Sequence, residues 1–169
     1  MKYDFPKGWS LSMIFSGEIK VPASRQEVFA KLNNVEFFAS CIEGVSQVVQ
    51  ISPTQYSAQL NTKVAYIQFT FSITVEIIES ICPERIVAKS QGVPIGMIGR
   101  LVSLTTAQLL EDAEGTLISY QIDMSLTGKL GSIGQPVLKS KTKELEKQFA
   151  ENLRKSFSSS LTIPNNESV

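Results

Sequence analysis

Histidine is absent from this chain of 169 residues, and its absence limits the chemistry open to the protein. A Ser–His–Asp triad, a Cys–His pair and every His-based zinc site are excluded. Two cysteines, Cys41 and Cys82, cannot form a four-thiolate site. No histidine is available to activate the Cys41 thiol, so packing as a small hydrophobe is the better reading for it. Catalysis would have to use carboxylates, Lys, Tyr or Cys. It would need an Asp, Glu, Lys or Arg pointing into a cavity. The nearest strand candidates, Glu76 and Asp123, have the parity of an outward face. The expectation is a binder, not an enzyme, with no cofactor and no bound metal.

Two other features could carry function. Residues 92–100, GVPIGMIGR, are glycine-rich but fit neither the dinucleotide nor the P-loop pattern. They read as a bulged strand with a turn, or as an apolar lip at a cavity mouth formed by Val93, Ile95, Met97 and Ile98. Tyr56 and Tyr120 lie on the apolar parity of their strands. Their hydroxyls need partners if buried, and they can orient a polar head group in an otherwise apolar pocket.

The elements that must position these residues follow from periodicity. Leu11, Met13, Phe15, Ile19 and Val21 alternate with polar residues, which marks a half-buried strand. Ser24 and Glu27 form a capping box for a short helix carrying Val28, Phe29 and Leu32. A second short helix is expected over residues 35–40. Strands follow at residues 45–51 and from Tyr56, Ala58, Leu60 and Val64. The apolar parity then switches to Ile67, Phe69, Phe71, Ile73, Val75 and Ile77, so a tight turn falls at Ala65-Tyr66. Further strands are expected at residues 86–90 and 101–110. In the last strand Ile118, Tyr120, Ile122, Met124, Leu126 and Leu130 alternate.

One long amphipathic helix is expected over residues 136–158. Pro136 suits its first turn. Val137, Leu138, Leu145, Phe149, Leu153 and Phe157 form its apolar stripe. Glu144, Glu146, Glu151 and several lysines are assigned to the opposite side. A solvated face explains this net positive helix; docking to an acidic partner or a lipid surface is the weaker reading.

The order is strand, two short helices, about six meandering strands, then the helix. This gives an α+β fold in which a curved antiparallel sheet of about seven strands grips a long C-terminal helix. The expected division is an N-terminal extension over residues 1–10, one domain over 11–160 and a disordered tail over 161–169. The inward-facing set is Tyr56, Leu60, Phe69, Phe71, Met97 and Leu101, with Tyr120, Ile122 and Met124 from the last strand. Leu145, Phe149 and Leu153 complete it from the helix. Sixteen basic residues balance sixteen acidic ones, so net charge gives no push toward nucleic acid or an anionic membrane. The N-terminus lacks an apolar run of signal-peptide length, and no stretch approaches a membrane span. A cytoplasmic protein is expected, with a peripheral place at the membrane as the alternative.

Several stretches carry a resemblance. Phe15-Ser16-Gly17-Glu18 leads into Val21-Pro22-Ala23 and Val28-Phe29, and Cys41-Ile42-Glu43-Gly44 resembles a Cys-Ile-Pro-Gly motif. Pro83-Glu84-Arg85 precedes a strand. Gly128-Lys129-Leu130, Gly134, Lys143-Glu144-Leu145 and residues 148–153, QFAENL, lie toward the C-terminus. Together they resemble the CoxG family, named for the G subunit of carbon monoxide dehydrogenase, within the START-like, Bet v 1-like (SRPBCC) helix-grip group. Glu43 replaces the usual Pro, and Ala65-Tyr66 stands where the family often has Gly-Pro. The family's longer, sometimes membrane-directed C-terminal extension is not expected here. The resemblance implies an apolar ligand, a quinone or lipid, and an association with a molybdenum-containing dehydrogenase. The alternatives are an assembly module for such a complex, or an enzyme of the cyclase or dehydratase type found among START-like relatives.

Overall fold

The computed structural model describes residues 10–161; residues 1–9 of the expected N-terminal extension and 162–169 of the expected tail lie outside them, while Leu161, expected in the tail, ends the last helix. Strand β1 (Ser10–Val21) is followed by helices α1 (Arg25–Leu32) and α2 (Val35–Ser40). Six strands come next: β2 (Val45–Gln50), β3 (Gln55–Val64), β4 (Ile67–Ile81), β5 (Arg85–Pro94), β6 (Gly99–Asp112) and β7 (Gly115–Gly128). A 3-10 turn at Lys129–Ser132 leads into α3 (Gln135–Leu161).

Local sequence explains the joints. The Ser24 hydroxyl accepts from the Glu27 amide at 3.3 Å, and the Glu27 carboxylate accepts from the Ser24 amide at 3.1 Å. These two bonds satisfy orphan donors at the start of α1. Asn34 caps α2 by accepting from the Phe37 amide at 3.1 Å. The β3–β4 hairpin pairs Val64 with Ile67, so only Ala65 and Tyr66 form its loop. Ala65 takes φ 56°, a left-handed conformation that costs a non-glycine residue about 1–2 kcal/mol.

The strands form one antiparallel sheet in the order β1-β7-β6-β5-β4-β3-β2. The first strand therefore lies beside the last. Leu130 does not extend β7 as its alternation suggested. Gly128 at φ 66° ends the strand, and Leu130 reaches the core from the 3-10 turn.

Register sorts the two faces. Met13, Met124, Ser103, Ser90, Val75 and Tyr56 are successive partners across six strands of the inner face. Phe15, Ile122, Thr105, Ala88 and Ile77 form the adjoining row. Glu76 and Asp123 share an outer row with Lys89 and Leu104, as their parity required.

The core divides in two. One cluster gathers Ile19, Val28, Phe29, Leu109, Ile118, Ala150, Leu153 and Phe157. The other gathers Phe15, Val64, Phe69, Phe71, Leu126, Leu130 and Leu138. Along its length α3 seals both, and its backbone comes closest to the edge strand β1 and to β3, next to the other edge.

Candidate functional site

Between the two clusters the inner face is built from small residues. Strand β5 presents Ala88, Ser90 and Gly92 there, and β6 presents Ser103, Thr105 and Ala107. Short side chains leave room that Leu or Phe would fill. Ala88, Ser90, Thr105, Ile73, Val75, Leu101 and Ile122 all remain half-buried, not sealed. Their residual accessibility shows that solvent reaches this stretch of the inner face, which forms a groove beside α3.

One polar contact crosses this groove. The Tyr120 hydroxyl donates to Oε2 of Glu146 on α3. Gly17 makes the contact possible. It pairs with Tyr120 in register, and a Cβ at Gly17 would lie 2.6 Å from the Tyr120 hydroxyl. The ring can lie flat across β1 only because that strand has no side chain there. Burial raises the Tyr120 phenol above its ordinary range, and the hydrogen bond and charge of Glu146 raise it further. The phenol is therefore a neutral donor at physiological pH. The second carboxylate oxygen of Glu146 is an acceptor that a ligand hydroxyl or N–H can meet.

Glu146 corrects the assignment of this carboxylate to the solvent side of the helix. Leu138, Thr142, Glu146, Ala150, Leu153 and Phe157 are spaced by four, four, four, three and four. Glu146 thus falls on the buried face, one turn from Ala150 and half-buried itself. The small residue beside it was the available signal. Residue type alone pointed the other way.

Two recesses flank the groove. One of about 440 Å³ lies between α1–α2 and β2–β3, lined by Asn33, Asn34, Glu36, Val48, Gln50 and Tyr56 among others. Tyr56 belongs both to this recess and to the inner row with Val75 and Ser90, so the recess abuts the groove floor. The second, of about 280 Å³, lies between the β3–β4 hairpin and α3, lined by Glu43, Asn61, Lys63, Gln68, Leu145 and Gln148 among others. Both are polar at the rim. Between α2 and α3, Phe38 packs on Phe149 with ring centroids 5.0 Å apart. Asn152 ties the helices by donating to the Cys41 carbonyl at 3.0 Å. The Cys41 thiol itself is buried, and desolvation raises its pKa against smaller opposing effects from Ser40 and Lys31. It has the character of packing, not of a nucleophile.

The expected lining set is dispersed along this interior. Phe69 and Phe71 stack at 5.8 Å in one core cluster. Leu60, Met97, Leu101, Ile122 and Met124 border that cluster and stay half-buried. Tyr120 and Phe149 border the other, where Leu153 is fully buried. Tyr56 and Leu145 stand at the two recesses. Residues 92–100 form a turn between two strands, with no register shift in the β5–β6 pairing, and none of them lines either recess. Strand β5 ends at Pro94 and β6 starts at Gly99, while Ile95 and Ile98 are exposed at the turn and Met97 is half-buried. Among the described residues no group of acidic or cysteine side chains could hold a metal ion.

The family model for CoxG, the G subunit of carbon monoxide dehydrogenase, matches residues 17–158. The chain belongs to that family. Among solved structures, this CoxG-family protein is similar to a conserved protein from Geobacillus kaustophilus. That match has 22% identity and a TM-score of 0.78, and covers 89% of this chain and 97% of that one. A Thermus thermophilus protein matches at 17% identity with TM-score 0.58, covering 86% of this chain and 99% of the other. The di-domain ARO/CYC protein BexL matches at 14% identity and TM-score 0.60; 86% of this chain covers 50% of BexL. At these identities the similarities establish the helix-grip fold alone. None of the curated proteins matches this sequence.

Proposed function

We propose that this protein binds a small, mainly apolar molecule with one polar end in the groove between sheet and α3, and acts as a carrier, not a catalyst. The observation that carries the reading is the groove itself. A half-buried floor of small and aliphatic residues is crossed, among the described residues, by one polar pair, Tyr120 and Glu146. Apolar area supplies affinity, and one placed donor–acceptor pair supplies orientation. A quinone or a lipid has this chemistry. The family name supports service to a molybdenum-containing dehydrogenase, delivering or receiving such a molecule.

A second reading rests on Glu146. A carboxylate held inside the groove beside a phenol is the equipment of a cyclase or dehydratase, where it would move a proton on a bound substrate. Native mass spectrometry of purified protein, with extraction of any bound molecule, separates the two. A quinone or lipid recovered chemically unchanged supports the carrier. Thermal melts extend the test, because a ligand binding only the folded state at 100 times its Kd adds about 2.7 kcal/mol. That is a rise of about 5–10 °C for a domain of this size. No shift with a menaquinone analogue or a fatty acid would count against the carrier.

A further inference from the structure

The balanced net charge conceals a strongly uneven distribution. Successive hairpins of the sheet turn at opposite ends, so the β3–β4 and β5–β6 loops share one end. There the Ile95 amide donates to the Thr70 carbonyl at 2.8 Å, and the Lys129 amide donates to the Ile98 carbonyl at 3.1 Å. The two loop tips and the 3-10 turn therefore form one surface. Its apolar side chains face outward: Tyr66 is 95% exposed, Ile98 83%, Ile95 61% and Ile67 53%.

The charges that flank the tips are basic, and the carboxylates of this end, Glu43 and Glu144, sit back in the recess that Lys63 and Lys141 also line. Lys63, Arg100 and Lys129 flank the tips and are exposed, and none of the three joins an ion pair among the described residues. The segments that converge here, residues 61–75, 90–110 and 124–143, contain no Asp or Glu at all. Lys139, Lys141 and Lys143 follow in the opening turns of α3, whose first turn holds no acidic residue. At the opposite end of the sheet the turns carry Glu84, Glu111, Asp112 and Glu114. Lys141 pairs with Glu144 at 3.6 Å, whereas Lys139 and Lys143 join no ion pair among the described residues.

We infer that this end of the molecule docks on an anionic lipid surface, with Tyr66, Ile95 and Ile98 entering the interface and Lys63, Arg100 and Lys129 meeting the head groups. Exposed apolar tips within a basic rim fit the headgroup–acyl boundary, where apolar burial and attraction to anionic lipid add. The recess lined by Lys63, Gln68 and Leu145 opens beside the same tips, so docking would turn one side of the groove toward the bilayer. The inference stands on the exterior surface and does not need the carrier reading to hold.

The test is co-sedimentation of the full chain with vesicles of phosphatidylcholine alone, and of phosphatidylcholine mixed with phosphatidylglycerol. Binding is expected to the mixed vesicles only, and to fall at high salt. Replacing Lys63, Arg100 and Lys129 by Gln should weaken it about fivefold each, or about a hundredfold together. Ile95→Asp with Ile98→Asp should abolish it. Leu110→Asp, exposed at the opposite end of β6, should leave it unchanged. Absence of binding, equal binding to neutral vesicles, or indifference to the tip variants would overturn the inference. So would a concentration-dependent dimer dissolved by Ile98→Asp, which would assign the surface to a second copy of the chain.

Discussion

Gly17→Ala tests the geometry that brings Tyr120 to Glu146. The added methyl carbon would sit 2.6 Å from the Tyr120 hydroxyl oxygen, 2.8 Å from Cζ and 3.0 Å from Cε1. No carbon is tolerated at such distances, so the ring must swing away and its bond to Glu146 breaks. Overpacking of this kind costs about 1–3 kcal/mol. The backbone at Gly17 is not among the positive-φ positions, so alanine itself is conformationally acceptable there. Acting through the unfolded chain, the same substitution would by itself stabilise by about 0.4–1 kcal/mol. In the natural sequence the clash dominates, and a net loss of about 1–2 kcal/mol lowers the melting temperature by about 2–8 °C. In a Tyr120→Leu background the obstacle is gone, and Gly17→Ala should become neutral or stabilising. The measurement is a double-mutant cycle by urea and thermal denaturation, in which the sign of the alanine effect reverses between backgrounds. A Gly17→Ala protein that melts higher than the natural one, or an equal effect in both backgrounds, would refute the placement of the ring.

The Tyr120 phenol titrates later in the folded than in the unfolded chain, so its contribution to stability is full below pH ~10 and is lost as pH rises beyond it. Tyr120→Phe should remove that alkaline loss, measured by urea midpoints across the alkaline range. Ala65→Gly relieves the left-handed turn residue and should raise stability by up to about 1 kcal/mol in thermal melts; a fall would contradict the turn geometry. Leu153→Ala, at 0% exposure, should cost about 2–5 kcal/mol. Ile122→Ala, half-buried on the groove floor, should cost less and alter the ligand-induced shift more; equal ligand effects for the two would argue against a groove centred on Ile122.

The elements and their faces were legible in the order of residues along the chain. Period-two alternation in β1, β4 and β7 and the four-residue spacings of α3 are direct consequences of burying one side of an element. The parity switch at Ala65-Tyr66 located the hairpin, and the Ser24–Glu27 capping box located α1, because both depend on neighbouring residues alone. The pairing of β1 with β7 was not legible, since no local pattern records which distant strand satisfies an edge. The groove came only from the packing of distant elements. Gly17 reads as a break in alternation until Tyr120 is found lying across it, and Glu146 reads as a solvent carboxylate until the helix is set against the sheet. The uneven charge was likewise hidden in a balanced total. Lys63, Arg100 and Lys129 are far apart along the chain, and only the hairpin turns of an antiparallel meander bring them to one end. Local periodicity reports how each element meets its immediate surroundings. A site is a property of which elements meet, and that is set by contacts between residues distant in sequence.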